Sequence, residues 1–557
     1  MARTATTLPT ASEADRPADA VVVGAGIAGL VAATDLAQRG HRVLVLEHNH
    51  QAGGLLSGMW RHGFYFDVGC QSFEDMGIVF PLLEQYGLSD LARFRRASYR
   101  IVMPGVDADV ASLDAVLQAF QGAYPASAEA FARVFALHAR TGELVRRLFR
   151  PDRVPHVREG NPGLARWALG AFEGARSPAE LVRRARELRT LLLDDYTEWY
   201  ERELPPSPAR DLLARCGYTR MNVFVASAFW HLWAHDYWYP EGGLQRWIDG
   251  WVARLRERGV QFLFKRTVTA LEREGGRVVA VHTKRGERFT AREVVYAGDY
   301  RQAVYRLVGP DAFPAAAVER LERARTSDAL VSAYVGLDLP ADALAERLRT
   351  SHVFYFPDRS CRTELDAGDP TAHRRDFLEV TAHAAHDPGL APPGRSALVV
   401  QAFTRHDWLR GWRTGLSGDP ARAERELPRP PEYRRVKRQV ADELLQALEG
   451  LLPGVRDRVA YADVGAPPST VRFTRNAFGA SCGFELNWRN FPFRNPLAHV
   501  ETPLANLHMA GHFTVWPGAV PTAALSGKIA AARAHEQLAR GRTRRRAATV
   551  APAAAHA

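Results

Sequence analysis

The sequence predicts an α/β protein of two interleaved parts: a parallel-sheet domain built from separated stretches of chain, and an α+β domain. Three observations predict it. Near the start, the apolar run Val21-Val22-Val23 passes directly into Gly24-Ala25-Gly26-Ile27-Ala28-Gly29 and then into an alanine-rich helical pattern. Near the end, Asn506 to Ile529 reads as a short strand, a glycine-bearing turn, a loop and a helix of small residues. Between them, residues 244–299 alternate helix and strand patterns that lead back toward the first domain.

The first segment carries the G-x-G-x-x-G spacing between a strand and a helix. Those glycines let the backbone turn tightly and approach a pyrophosphate seated on the helix N-terminus. A second apolar run, Val43-Leu44-Val45-Leu46, ends in Glu47. An acid about 20 residues past the glycines is placed to bind a ribose hydroxyl pair. The unit is therefore Rossmann-like and binds a dinucleotide. A further doublet, Gly53-Gly54, precedes Leu55, and the chain continues through Asp67 and Gly69. Such a doublet admits backbone N–H groups to another phosphate or to the sugar chain of a larger cofactor, or else marks a surface turn. The C-terminal helix can bring its N-terminal N–H groups to an electron-rich ring edge.

From about residue 81 to 237 the pattern turns helical. Ser177-Pro178-Ala179-Glu180 is a helix start with a capping box and proline in the first turn. Leu181, Val182, Ala185, Leu188, Leu191 and Leu192 give that helix an apolar side for packing, or for membrane contact. Residues 224–239 concentrate Phe224, Phe229, Trp230, Trp233, Tyr237, Trp238 and Tyr239. They are either core or the wall of a pocket for a long flat apolar ligand. A helix over Leu244–Arg258 precedes strands at Val260–Phe264 and Thr267–Leu271. A hairpin at Gly275-Gly276 follows, then Val278–Val281 and Val294–Tyr296. Val353–Phe356 and Ala397–Phe403 read as strands, and residues 432–451 as a helix.

Paired with the two chain ends, Trp238-Tyr239-Pro240-Glu241-Gly242-Gly243-Leu244 and Asp387-Pro388-Gly389-Leu390-Ala391-Pro392-Pro393-Gly394 carry a family resemblance. The chain resembles the FAD-dependent phytoene desaturase and carotenoid isomerase family, within the amine-oxidase-like flavoproteins, over roughly residues 19–535. The resemblance implies FAD as cofactor, held by Gly24, Gly26, Ile27, Ala28 and Gly29 at the first turn and by Glu47 and His48 after the second strand. It implies Gly53, Gly54, Leu55, Asp67 and Gly69 next, then Val268, whose family counterpart pairs its backbone with the adenine. Gly511, His512 and Val520 complete the set. The fold implied is a discontinuous Rossmann-like FAD-binding domain (19–80, 238–300, 476–535) interleaved with an α+β substrate domain (81–237, 301–475). A disordered leader at 1–18 and a basic disordered tail at 536–557 flank it.

The activity implied is hydride removal from an apolar polyene or isoprenoid-like small molecule. Isomerase, saturase and flavin amine oxidase chemistry remain alternatives. Two positions depart from the family: Leu55, where many relatives have arginine, and Ala519, where glycine is common. The first is reminiscent of the carotenoid isomerase and retinol saturase branches. No catalytic residue is singled out. His512 and Glu485 are candidates, though each reads first as a structural polar side chain.

Composition bounds the rest. At 557 residues, 46% hydrophobic and 24% charged, the chain has the make-up of an ordinary globular protein. Cys70, Cys216, Cys361 and Cys482 lack C-x-x-C spacing, so neither disulfide framework nor metal site is expected and a reducing cytoplasm is the expected location. No signal peptide and no membrane-spanning segment are expected. The net charge of +11 comes partly from arginine clusters at 93–100, 146–153 and 540–546. No nucleic-acid motif accompanies them, so they read as solvated surface or as peripheral contact with an anionic membrane. Oligomeric state is not legible.

Overall fold

The structure, a computed structural model, describes residues 18–148, 170–357, 377–404, 411–412, 414, 429–491, 499–515 and 518–550. The first sheet comprises β1 (Ala18–Val23), β2 (Val43–Leu46), β3 (Gln261–Leu263), β4 (Val268–Glu274), β5 (Arg277–Thr283), β6 (Arg288–Tyr296) and β7 (Leu507–Met509). Their order is β3-β2-β1-β6-β5-β4, with β7 also paired to β6. Strands β3, β2, β1, β6 and β7 are parallel, whereas β4, β5 and β6 form an antiparallel meander. β6 serves both because its ends have different partners: Arg288–Thr290 pairs with β5 and Val294–Tyr296 with β7. The unbroken Val/Leu runs of β1 and β2 follow from burial on both faces, as in parallel sheets generally.

Helix α1 (Ile27–Gln38) is buried continuously from Ile27 to Leu36. One side packs on the sheet and the other meets the C-terminal helix, Val520–Val550. That crossing is close enough that a side chain on Gly527 would overlap the Ala28 carbonyl. The C-terminal helix runs on to Val550, which corrects the disorder expected from residue 536. Alanine and arginine are strong helix formers, and buried Leu538 anchors the extension.

A second, seven-stranded sheet has the order Val459–Gly465, Ala329–Leu337, Ser396–Thr404, Leu378–Thr381, His352–Tyr355, Tyr99–Met103, Val106–Asp109. All its pairs are antiparallel except His352–Tyr355 with Tyr99–Met103. One face packs Val331, Val335, Val380, Leu398 and Val400 against the helix Pro431–Leu451. The other faces the first domain. The last two strands in this order, Tyr99–Met103 and the edge strand Val106–Asp109, fall where a helical pattern was expected. Tyr99, Ile101 and Met103 alternate inward, and Pro104-Gly105 turns the chain. Arg100 is buried there, bonded through Nε and Nη2 to Asp107 at 2.6 Å and through Nη1 to the carbonyls of Arg347 and Leu348. It is thus a structural ion pair, not a solvated charge.

The helix Pro178–Leu193 starts as expected, with Ser177 Oγ accepting from Glu180 N at 3.2 Å. Its packing face is narrower than the pattern suggested. Leu191 is buried, but Leu181, Val182 and Leu193 are exposed. No helix among the described residues is long and apolar enough to cross a membrane.

Candidate active site

The turn between β1 and α1 is shaped for a pyrophosphate. A side chain at Gly29 would overlap the Gly24 carbonyl oxygen, so the turn can close only on glycine. Gly26 is different. Its backbone is extended (φ −72°, ψ 177°), and a Cβ there would find no heavy atom closer than 4.0 Å. It faces open space, at the helix N-terminus, where an anion would sit. Gly53 pairs with Gly26 in a parallel bridge and donates to the Ala25 carbonyl at 2.9 Å, so the doublet forms the opposite lip.

Glu47 is buried beside this turn. Its Oε2 accepts from Ala25 N and its Oε1 from Asn49 N, both at 2.7 Å. Burial raises its pKa, and the backbone donors pull the other way. A carboxylate has about four acceptor sites, so two backbone bonds leave room for ribose hydroxyls. His48 also lines the space, with Nδ1 2.7 Å from Thr267 Oγ1 and Nε2 3.1 Å from the Arg472 carbonyl.

The C-terminal segment closes the site from the far side. After β7, Gly511 N donates to Ser526 Oγ at 2.8 Å. Gly518, Ala519, Val520, Thr522 and Ala523 bring the start of the C-terminal helix to the cavity wall. Ala519 sits at φ 54°, the region that favours glycine, which accounts for the expectation of glycine there. His512 Nε2 lies 3.2 Å from Asn476 Nδ2. Burial lowers its pKa to about 4, so it is neutral near pH 7 and held as a fixed polar group.

These surfaces bound one continuous cavity that runs from the glycine turn into the second domain. Its inner part is aromatic and aliphatic. The helix Val223–His235 contributes Phe224, Phe229, Leu232 and Trp233, and the second sheet contributes Leu330, Phe354 and Phe403, with Phe377 just before its strand Leu378–Thr381. Phe229 stacks on Trp233 with ring centroids 5.5 Å apart, and Trp233 meets Phe354 edge-on at 4.7 Å. The aromatic run therefore divides. Trp230 is core, at 1% exposure, while Phe224, Phe229, Trp233 and Tyr237 wall the cavity. Two carboxyls, Glu74 and Glu379, share that wall, and burial pushes each up to about 7.

Of the residues expected around the cofactor, Gly24, Gly26, Ile27, Ala28, Glu47, His48, Gly53, Gly54, Leu55, Gly69, Val268, Gly511, His512 and Val520 all line this cavity. Gly29 lies behind the turn. Asp67 is a correction: it does not line the cavity. It accepts from Tyr65 Oη at 2.6 Å, Tyr239 Oη at 2.7 Å and Leu244 N at 3.3 Å. Burial raises its pKa to about 7 against the pull of these donors. Glu485, a candidate also readable as structural, pairs with Arg220 at 2.8 Å and accepts from Asn487 at 3.0 Å. The two middle motifs meet each other through Gly242 N and Asp387 Oδ2, 2.8 Å apart, and hold the domains together beside the cavity. Sequence reading missed Glu74 and Glu379. The alternation Phe377/Glu379/Thr381 against Leu378/Val380 was the available signal for the second.

Residues 27–535 match the family of flavin containing amine oxidoreductases. The chain is 28% identical over 531 residues to phytoene dehydrogenase of Streptomyces griseus, covering 92% of this chain and 94% of that protein. It is 22% identical over 538 residues to all-trans-retinol 13,14-reductase of Danio rerio, covering 90% and 83%. A solved structure of putrescine oxidase superposes with a TM-score of 0.58 at 15% identity, covering 94% of this chain and 99% of that one, which is a likeness of fold. With a Rossmann-like turn, an acid after the second strand and a C-terminal helix that closes the cavity, the chain belongs to the flavin containing amine oxidoreductase family and is an FAD-dependent oxidoreductase.

Proposed function

We propose that this oxidoreductase dehydrogenates an apolar polyene or isoprenoid-like substrate held in the aromatic part of the cavity. The observation that carries the reading is the wall itself. Phe224, Phe229, Trp233, Phe354, Phe377 and Phe403 bound a largely apolar space, and burial pushes its two carboxyls, Glu74 and Glu379, up to about 7, so neither is fully ionised near neutral pH. Flat rings match a conjugated chain. The names of the relatives, phytoene dehydrogenase and retinol reductase, support the same substrate class.

When bound, FAD supplies the two-electron acceptor for hydride from an allylic carbon. The residues fit it. Gly26, Ile27 and Ala28 would present the α1 N-terminus to the pyrophosphate, and Glu47 would take the ribose hydroxyls. Val268 would border the adenine, and Gly53, Gly54, Leu55, Gly69, Gly511, His512 and Val520 would surround the remainder. The aromatic wall excludes water and holds the chain of the substrate in one orientation.

Anaerobic mixing with candidate polyenes tests the reading. Bleaching of oxidised flavin by a polyene is the expected result. Turnover only after pre-reduction would replace dehydrogenation with isomerase or saturase chemistry. Rapid bleaching by small amines, with no response to polyenes, would replace it with amine oxidation.

A further inference from the structure

Dehydrogenation of a polyene must shed a proton as well as a hydride, and the cavity holds a side chain built to take it. We propose that Glu379 is the proton acceptor of the substrate cavity and that His352 and Ser351 carry its proton to the protein surface. The proposal rests on the polyene-dehydrogenase reading above.

The geometry follows from strand alternation. In Leu378–Thr381, Leu378 and Val380 point into the core of the second domain, so Glu379 points into the cavity. Its cross-strand neighbours are Phe354 and Gln401, which line the same wall. Glu379 Oε1 lies 3.8 Å from His352 Nε2. A carboxyl shift of about 1 Å brings that pair to hydrogen-bond distance. On the other side of the imidazole, Nδ1 is 3.0 Å from Ser351 Oγ. Ser351 Oγ donates to the carbonyl of Ser98, an exposed residue, at 3.2 Å, and accepts from Ser98 N at 3.0 Å. Ser351 itself is 6% exposed, so the relay ends at the edge of solvent.

His352 is fully buried and stacked on Tyr99, with centroids 4.5 Å apart, which fixes the ring plane along the relay. A branch from Nε2 through Ser72 Oγ at 3.2 Å to Tyr99 Oη at 3.0 Å holds it from the side.

The chemistry balances. As one carbon gives up hydride, the C–H bond on the adjacent carbon breaks in the same step, and its electron pair becomes the new C=C bond. The proton goes to a Glu379 carboxylate oxygen, and the hydride electrons go to FAD. With its proton on Nδ1, His352 accepts at Nε2 as it releases from Nδ1 to Ser351, and Ser351 gives its own hydroxyl proton to solvent water. Burial keeps His352 down at about 3, so it passes the proton without storing it. Burial places Glu379 at about 7, so both of its forms are populated near neutrality. The titratable groups around it are Tyr99 and His352 on neighbouring strands, Glu74 and Tyr237 on the short strands opposite, and Cys70 and Cys216 on adjoining loops.

Infrared spectra of the FAD-loaded protein without substrate give a readout independent of turnover. The carboxylic-acid C=O absorption should titrate near pH 7, and Glu379→Gln should remove one component of it. Glu379→Asp, with its flavin spectrum as the control for folding, should restore that component. With a polyene, Glu379→Gln should slow anaerobic flavin bleaching about 100-fold or more. His352→Phe should keep the infrared component but delay proton release to an indicator dye about tenfold behind bleaching. An unchanged infrared band in Glu379→Gln, or wild-type bleaching in that variant, overturns the proposal. Loss of the band in a protein that no polyene reduces would leave Glu379 as a proton-holding group and overturn the polyene reading instead.

Discussion

Gly26→Val separates cofactor binding from folding. The Gly26 backbone is extended, and the nearest heavy atoms to a Cβ there, the Gly53 carbonyl oxygen and Gly54 Cα, are 4.0 Å away, so a side chain starts into open space. The space it fills is the space a pyrophosphate needs. Displacing that group forfeits two or so charge-assisted hydrogen bonds at the helix N-terminus, each worth roughly 1.5–3 kcal/mol. The sum, about 3–6 kcal/mol, corresponds to a loss of about 100-fold to 10,000-fold in FAD affinity. Gly29→Ala is the contrasting case. Its methyl would overlap the Gly24 carbonyl, so the turn itself must open and stability falls as well. Titration of deflavinated protein with FAD, read by flavin fluorescence, measures the first effect, and thermal unfolding of the same samples measures the second. Gly26→Val should melt like the deflavinated wild type yet fail to bind. FAD affinity within about threefold of wild type would refute the placement of the pyrophosphate at this turn.

Three further outcomes are expected. Glu47→Ala removes the acceptor for Ala25 N and Asn49 N and should weaken FAD binding by about 1.5–3 kcal/mol, checked by the same titration. Trp233→Ala should weaken polyene binding about tenfold while leaving flavin content unchanged, because Trp233 touches only the aromatic part of the cavity; equilibrium binding checks it. The two sets of buried groups respond to pH with opposite sign. Asp67, Glu74 and Glu379, each pushed up to about 7 by burial, keep protons that the unfolded chain releases above about pH 4, so their contribution to stability is full below that and is lost as pH rises toward 7 and beyond. His138, His352 and His512, lowered to about 3, 3 and 4, must charge on unfolding, so their contribution is full above about pH 6.5 and is lost as pH falls. Glu74→Gln should therefore remove part of the loss of stability between about pH 5 and 7, read from urea midpoints. A variant with the wild-type pH profile would contradict the assignment.

The cofactor side of the cavity was legible because its demands are local. A turn that must pass a phosphate needs glycine at Gly24 and Gly29, and an acid must follow β2, so spacing alone exposes Glu47. The substrate side was not, because its residues come from Phe224 to Phe403 and share only a cavity. The alternation over 377–381 marks two faces of a strand but does not say which of them meets the cavity. Asp67 shows the opposite failure. A residue expected at the cofactor because it sits in a glycine-flanked segment is instead the acceptor that joins Tyr65, Tyr239 and Leu244. The hairpin at 99–109 was hidden because its arginine, Arg100, folds inward to pair with Asp107.

The first sheet takes its strands from residues 18–46, 261–296 and 507–509, and the helix that closes the cavity begins at Val520. During synthesis the pyrophosphate turn therefore emerges long before the opposite wall. Until β7 has been made, β6 has an unpaired edge where that strand belongs, and the site can grip no cofactor from both sides. Such long-range closure is slow, and open strand edges invite wrong partners. FAD should thus act late, as a ligand that locks a nearly finished chain. Cellular flavin supply should set how much of the newly made protein survives.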